Sequence, residues 1–176
     1  TPDAPYQAPP PTDASAPRAP QIGEFRLSNG LRVLYMNDPS LPLVALRAVV
    51  DRGADQAAPG VADQTALSLA AGTTHRTDEA ISYLIGAWGA SYTARASHGS
   101  VTVDVEIPAP RLAEALRLVA DLLANPTFPE PALDKERHAS LAAIDVSRKE
   151  PAAVARRALA KALYPSGHPY ATPAEG

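Results

Sequence analysis

The sequence predicts an α+β fold, with a mostly antiparallel sheet covered by helices. Three observations carry that expectation. Asn29-Gly30 sits between two alternating runs, the pattern of a tight hairpin. Val101, Val103, Val105 and Ile107 alternate with Thr102, Asp104 and Glu106, so one strand has an apolar and a polar face. From Pro110 onward the apolar spacing changes from two residues to a helical period. Strands and helices then follow as β-β-β-α-α-β-β-α-α-α, a grouped order typical of helices layered on an antiparallel sheet.

Residues 1–22 are read as a linker or tail. Seven of the 19 prolines fall in the first 20 residues, among alanine and small polar residues. Such a stretch buries too little apolar surface to offset the entropy of ordering it, and its prolines favour an extended chain. The folded domain is expected over 23–176. Glu24 to Leu27 and Leu31 to Tyr35 are the hairpin strands, with both turn residues at positive φ. Leu43 to Val50 is nearly all apolar, which predicts a central strand.

A helix is expected from Ala62 to Ala71, stopped by Gly72. Thr77 caps the next, with Asp78 and Glu79 in the first turn where they favour the positive end of the helix dipole. It ends at Gly89. Strands follow over Ala90–Ser97 and Ser100–Ile107, and then a helix whose core stripe is Leu112, Leu116, Val119 and Leu123. Asn125-Pro126 and Pro129 break the chain before a helix over Pro131–Lys149. Pro151 opens the last helix, which ends near Tyr164-Pro165. Leu67 and Leu69 are expected in the core, and Trp88 at a packing boundary.

Composition narrows the function. The chain has 176 residues, 45% hydrophobic and 20% charged, enough for one ordinary domain with a core. Its net charge of −3 argues against a partner held by bulk positive charge, such as nucleic acid or an anionic membrane. The absence of cysteine removes disulfides, thiolate metal sites and cysteine nucleophiles. There is no G-x-S-x-G elbow, phosphate loop, dinucleotide fingerprint or EF-hand loop. His75, His98, His138 and His168 lie far apart and form no i, i+4 pair, so they read as surface or capping residues. Arg148-Lys149-Glu150 and Arg156-Arg157 read as solvated helix faces, the alternative being that Arg156, Arg157 and Lys161 form a basic stripe that meets a partner.

Several short stretches occur in the order of one family: Leu27-Ser28-Asn29-Gly30-Leu31-Arg32-Val33, Pro59-Gly60-Val61-Ala62, Gly72-Thr73, Trp88-Gly89-Ala90, Asn125-Pro126-Thr127-Phe128-Pro129, Glu136-Arg137 and His168-Pro169-Tyr170. From Glu24 to its end the chain resembles the inverzincin zinc peptidases, the pitrilysin, insulinase and mitochondrial processing peptidase (M16) family. The resemblance implies an M16-like half-domain, from which a closing helix and strand are missing. An exposed sheet edge would then seek another chain or a second copy. In that family an H-x-x-E-H helix gives zinc two imidazoles one turn apart, its glutamate activates the metal-bound water, and a later glutamate completes the site.

The resemblance places Asp63 and Leu67 at the two histidine positions, Ala66 at the catalytic glutamate and Ala143 at the distal glutamate. One carboxylate does not make a tight zinc site, and no base remains. The chain is therefore expected to have no catalytic residue, metal or cofactor of its own. The implied role is a pseudo-peptidase domain that shares a peptide chamber with a catalytic M16-type partner, in the periplasm or cell envelope. The alternative is a scaffold subunit of a membrane-associated complex. A third reading rebuilds a hydrolase around Asp63 and a histidine.

Overall fold

The computed structural model describes residues 21–176, so the expected tail over 1–22 lies almost wholly outside the described residues. These fall into two compact units divided between Leu41 and Pro42, where the sequence reading drew one domain from 23. In the first unit, β1 (Ile22–Arg26) and β2 (Arg32–Met36) form an antiparallel hairpin. Arg32 Nε and Nη2 donate to Glu24 Oε1 and Oε2 at 2.8 and 2.9 Å across it. The turn differs from expectation, since Gly30 has φ of 88° but Asn29 does not share the positive φ. Leu27 N donates to Leu31 O, so three residues rather than two make the loop, and a three-residue loop needs only its glycine in the left-handed region. The Asn29 side chain accepts from Leu31 N at 3.1 Å instead.

The second unit carries a three-stranded antiparallel sheet of β3 (Leu43–Val50), β4 (Ser91–Ala96) and β5 (Val101–Pro108), in the order β3-β5-β4. The central strand is thus β5. The expectation that Leu43–Val50 is central is corrected: β3 is an edge strand, and Leu43 and Val49 are exposed. Alternation was present but hidden by apolar residues on both faces. Val44, Leu46 and Ala48 pack toward the core, while Arg47 on the opposite face donates to Asp104 of β5 at 2.5 Å.

Five helices complete this unit: α1 (Val61–Ser68), α2 (Asp78–Ala87), α3 (Leu112–Ala124), α4 (Glu130–Ser147) and α5 (Pro151–Leu163). A short 3-10 turn, Leu69–Ala71, extends α1 to Gly72. The Thr77 hydroxyl caps α2, accepting from Ala80 N at 3.3 Å. The main core joins Val101, Val103, Val105 and Ile107 of β5 to Ala66 and Leu69 beside α1 and to Ala115 and Val119 of α3. A second cluster joins Ile81 of α2 to Leu118 and Leu122 of α3, and Trp88 packs against both.

Of the predicted stripe on α3, Val119 is buried and Leu123 packs against the main core, but Leu116 does not join them. Ala115, Leu118, Val119 and Leu122 are buried, while Leu116 is exposed. Toward the end of the chain burial thins, with no residue of α4 and only Ala153 of α5 buried. No described helix is long and apolar enough to cross a membrane.

Candidate functional site

The α1 helix is short and starts at Gly60, which holds a left-handed conformation (φ 80°). Its residues 63, 64 and 67 turn toward α4. Gln64 Nε2 donates to Ser140 Oγ of α4 at 2.6 Å and pins the two helices together. Beside this bond lies an open cleft of about 390 Å³ that Asp63, Leu67 and Ala143 all line. Three of the four positions singled out in the sequence are therefore brought to one place, two from α1 one turn apart and one from α4. Ala66 is different: it is 1% exposed and packs in the core against the sheet.

Leu67 was expected in the core, and that is corrected. It is 44% exposed and forms a wall of the cleft, whereas Leu69 is buried as expected. The two leucines lie on opposite sides of the point where α1 tightens into its 3-10 turn.

The cleft's chemistry is acidic over an apolar floor. Glu136 and Glu175 line it with Asp63, and Ile144 adds to the floor. Burial, reinforced by the nearby Glu175 carboxylate, raises the Asp63 pKa above its ordinary value. No imidazole lines this space. Among the described residues, no three His, Cys, Asp or Glu side chains group as a metal site would require. A tetrahedral zinc centre needs three convergent nitrogen, sulfur or oxygen donors. Leu67 and Ala143 have none to offer, so the residues present do not fit zinc.

The histidines are accounted for elsewhere. His75 Nδ1 lies 2.7 Å from Asp121 Oδ1, His98 Nε2 lies 2.9 Å from Thr172 O, and His138 Nδ1 lies 2.7 Å from Asp134 O. His168 accepts from Tyr170 N and caps a 3-10 turn. None reaches Asp63, which leaves the rebuilt-hydrolase reading without a second catalytic group. Arg157, read as solvated, is half-buried and donates to Ser147 Oγ at 2.5 Å, tying α5 to α4.

A second polar cluster escaped the sequence reading. Asp121 of α3 is buried and accepts from Thr73 Oγ1 at 2.8 Å, from Asn125 Nδ2 at 2.9 Å and from Arg76, with His75 beside it. Burial opposes its charge, but these hydrogen bonds outweigh burial and hold its pKa well below the ordinary carboxylate value. A lone aspartate in an apolar helix stripe was the only sequence signal for it. Asp121 anchors the segment between α1 and α2 to α3 and so fixes the end of the helix that carries the cleft.

A sheet backed by helices is the fold on which the comparisons bear. The model of the insulinase family, peptidase family M16, matches residues 32–173. The chain belongs to this family. Among solved structures it is similar to the crystal structure of a peptidase M16 inactive domain from Pseudomonas fluorescens, with 28% sequence identity and a TM-score of 0.81. The match covers 88% of this chain and 38% of that one, so this chain spans about two fifths of that relative's length. No curated protein matches the chain.

Proposed function

We propose that this chain is a non-catalytic M16 domain that pairs with a catalytic M16 peptidase half, forms part of its substrate chamber and holds peptide without cutting it. One observation carries the reading. The cleft between α1 and α4 has both walls in place, pinned by Gln64 and Ser140, and the positions that the family resemblance assigns to ligands and base hold Asp63, Leu67, Ala143 and the buried Ala66. Leu67, Ala143 and Ala66 offer no zinc donor and no base, so the metal-bound water of the family's chemistry has nothing to hold it there. The likeness to a domain described as inactive supports the same conclusion. On the family resemblance alone, we place the protein in the periplasm or cell envelope.

The test is to isolate the native protein with its companions and identify them by mass spectrometry. Zinc content and cleavage of a mixed peptide pool are then assayed with and without the companion. The reading expects a stoichiometric companion, or a further part of the same polypeptide, that carries an intact H-x-x-E-H and all of the zinc. Cleavage by this chain alone, with zinc bound, would overturn it. Co-isolation with membrane-complex subunits and no peptidase would favour the scaffold alternative instead.

A further inference from the structure

We propose that His168 is an acid-sensitive latch: neutral, it caps the 3-10 turn Pro169–Ala171, and protonated, it lets go of that turn and pairs with Asp55. The latch needs no peptidase companion. His168 Nδ1 accepts from Tyr170 N at 3.1 Å. A ring nitrogen accepts only while it carries no proton, so the proton of the neutral ring sits on Nε2. An imidazolium has two donors and no acceptor. A second proton sets Nδ1–H against the Tyr170 N–H, donor against donor, and the ring has to turn away. Histidine ordinarily takes up that proton between about pH 8 and pH 5. His168 is exposed, so its ring meets the pH of the solvent directly.

A partner for the charged ring stands beside it. Asp55, in the loop after β3, lines the same cavity of about 230 Å³ as His168. Its Oδ1 is buried and has no hydrogen-bond partner among the described residues. A buried oxygen without a donor is costly, and an imidazolium N–H supplies a charge-assisted one. The other titratable groups around the ring are Tyr164 at the end of α5, stacked on it with centroids 4.8 Å apart, and Tyr170, edge-on at 5.5 Å. His98, of the turn between β4 and β5, lies against Tyr170 at 4.5 Å. Among the described residues no Lys or Arg lines the cavity, and Arg52 of the same loop donates to Gln56. His98 answers acid differently. Its Nε2 donates to Thr172 O at 2.9 Å, and a donor stays a donor when the ring gains a proton. The acid-sensitive bond is therefore the one at His168. The turn it caps runs on to Glu175, which lies against Gly60 at the start of α1 and lines the cleft between α1 and α4, so the latch acts on the cleft's border.

Amide hydrogen exchange of the full chain is read by NMR at about pH 7.5 and about pH 5.5, on either side of the ordinary histidine value. Each rate is divided by that of an unstructured peptide at the same pH. The Tyr170 amide is expected to lose protection about tenfold in acid. His168→Asn keeps a side-chain oxygen that caps the turn but takes up no charge, so its protection should be the same at both pH values. Asp55→Asn removes the partner of the charged ring and is expected to cut the loss to about threefold. The thermal midpoint of each variant shows that it is folded. A Tyr170 amide equally protected at both pH values, or unprotected at both, would overturn the latch. An undiminished loss in His168→Asn would place the response elsewhere and overturn it too, and the same result in Asp55→Asn would strike out the carboxylate partner.

Discussion

At the scale of single residues, the molecule separates carboxylates by what surrounds them. Asp121 is buried among donors and Asp63 is half-buried without any, and burial is the largest influence on both. Only Asp121 has hydrogen bonds that reverse it. Asp121→Asn is expected to cost about 2–4 kcal/mol at neutral pH, because it removes the charge that Arg76 and the Thr73 hydroxyl are placed to meet. The pH dependence has a definite sign. The folded pKa of Asp121 is depressed, so its contribution is fully present above the unfolded value of about 3.9 and is lost as the pH falls through the folded value. Urea unfolding at pH 7 and at progressively lower pH should show the gap between wild type and Asp121→Asn closing in acid. A gap that stayed constant below pH ~4 would mean the cluster is held by shape and not by charge. The sequence held little warning of this group, because its partners at 73, 75 and 76 lie more than 40 residues away and meet it only through tertiary packing. Asp63 was found because family order pointed to it, yet its lack of partners was visible only in the fold.

At the scale of elements, what could be read locally was read well and what depended on neighbours was not. The alternation of β5 is a property of one strand, and Val101, Val103, Val105 and Ile107 are buried as it requires. The cap at Thr77 and the stop at Gly72 are likewise local. The edge position of β3, the exposure of Leu116 on α3 and the exposure of Leu67 depend on what each element meets. Adjacent positions on α1 show the difference and can be tested. Ala66 faces the sheet at 1% exposure and Leu67 lines the cleft at 44%. Ala66→Glu is expected to cost about 3 kcal/mol or more, since it places an unpaired charge in the core. Leu67→Glu should change stability by less than about 1 kcal/mol. Chemical denaturation of the two variants decides it, and similar losses from both would show that the helix is oriented otherwise. The link between the loop after β3 and the turn between β4 and β5 makes a second test. Ala54 N and Asp55 N donate to Ser97 O and His98 O at 2.9 Å, and Gly53 lies so close that a Cβ there would stand 2.3 Å from His98 O and 2.5 Å from Ser100 N. Its φ of −136° is open to any residue, so the constraint is one of space. Replacing glycine by alanine at an unconstrained site stabilises slightly through the unfolded chain. Gly53→Ala should do the reverse and lower stability by about 1–3 kcal/mol, read as a fall in thermal midpoint.

At the scale of the whole molecule, the helix packing around the cleft and the side chains at the positions the family resemblance assigns to zinc ligands are separable properties of the same fold. Helix packing depends on Gln64, Ser140 and the buried side of α1, none of which is a donor to metal in the family pattern. The positions that the resemblance assigns to the metal ligands, 63, 67 and 143, line the cleft and are not buried, so they can change with little effect on the core, whereas position 66 is part of it. The separation predicts that the metal site can be restored without rebuilding the fold. A variant that combines Asp63→His, Leu67→His and Ala143→Glu places two imidazoles one turn apart on α1 and a carboxylate on the facing α4, the donor set a tetrahedral zinc with one open position uses. It is expected to take up about one zinc per chain, measured by elemental analysis after dialysis, where the parent chain takes up none. It should still cleave no peptide, because position 66 supplies no base to act on the bound water. Adding Ala66→Glu supplies that base only at the stability cost argued for the core, so partial activity should come with a lower thermal midpoint. A triple variant that stays folded and takes up no zinc would show that positions 63, 67 and 143 do not face one another closely enough to share an ion. The pseudo-peptidase reading would then lose the geometry that supports it.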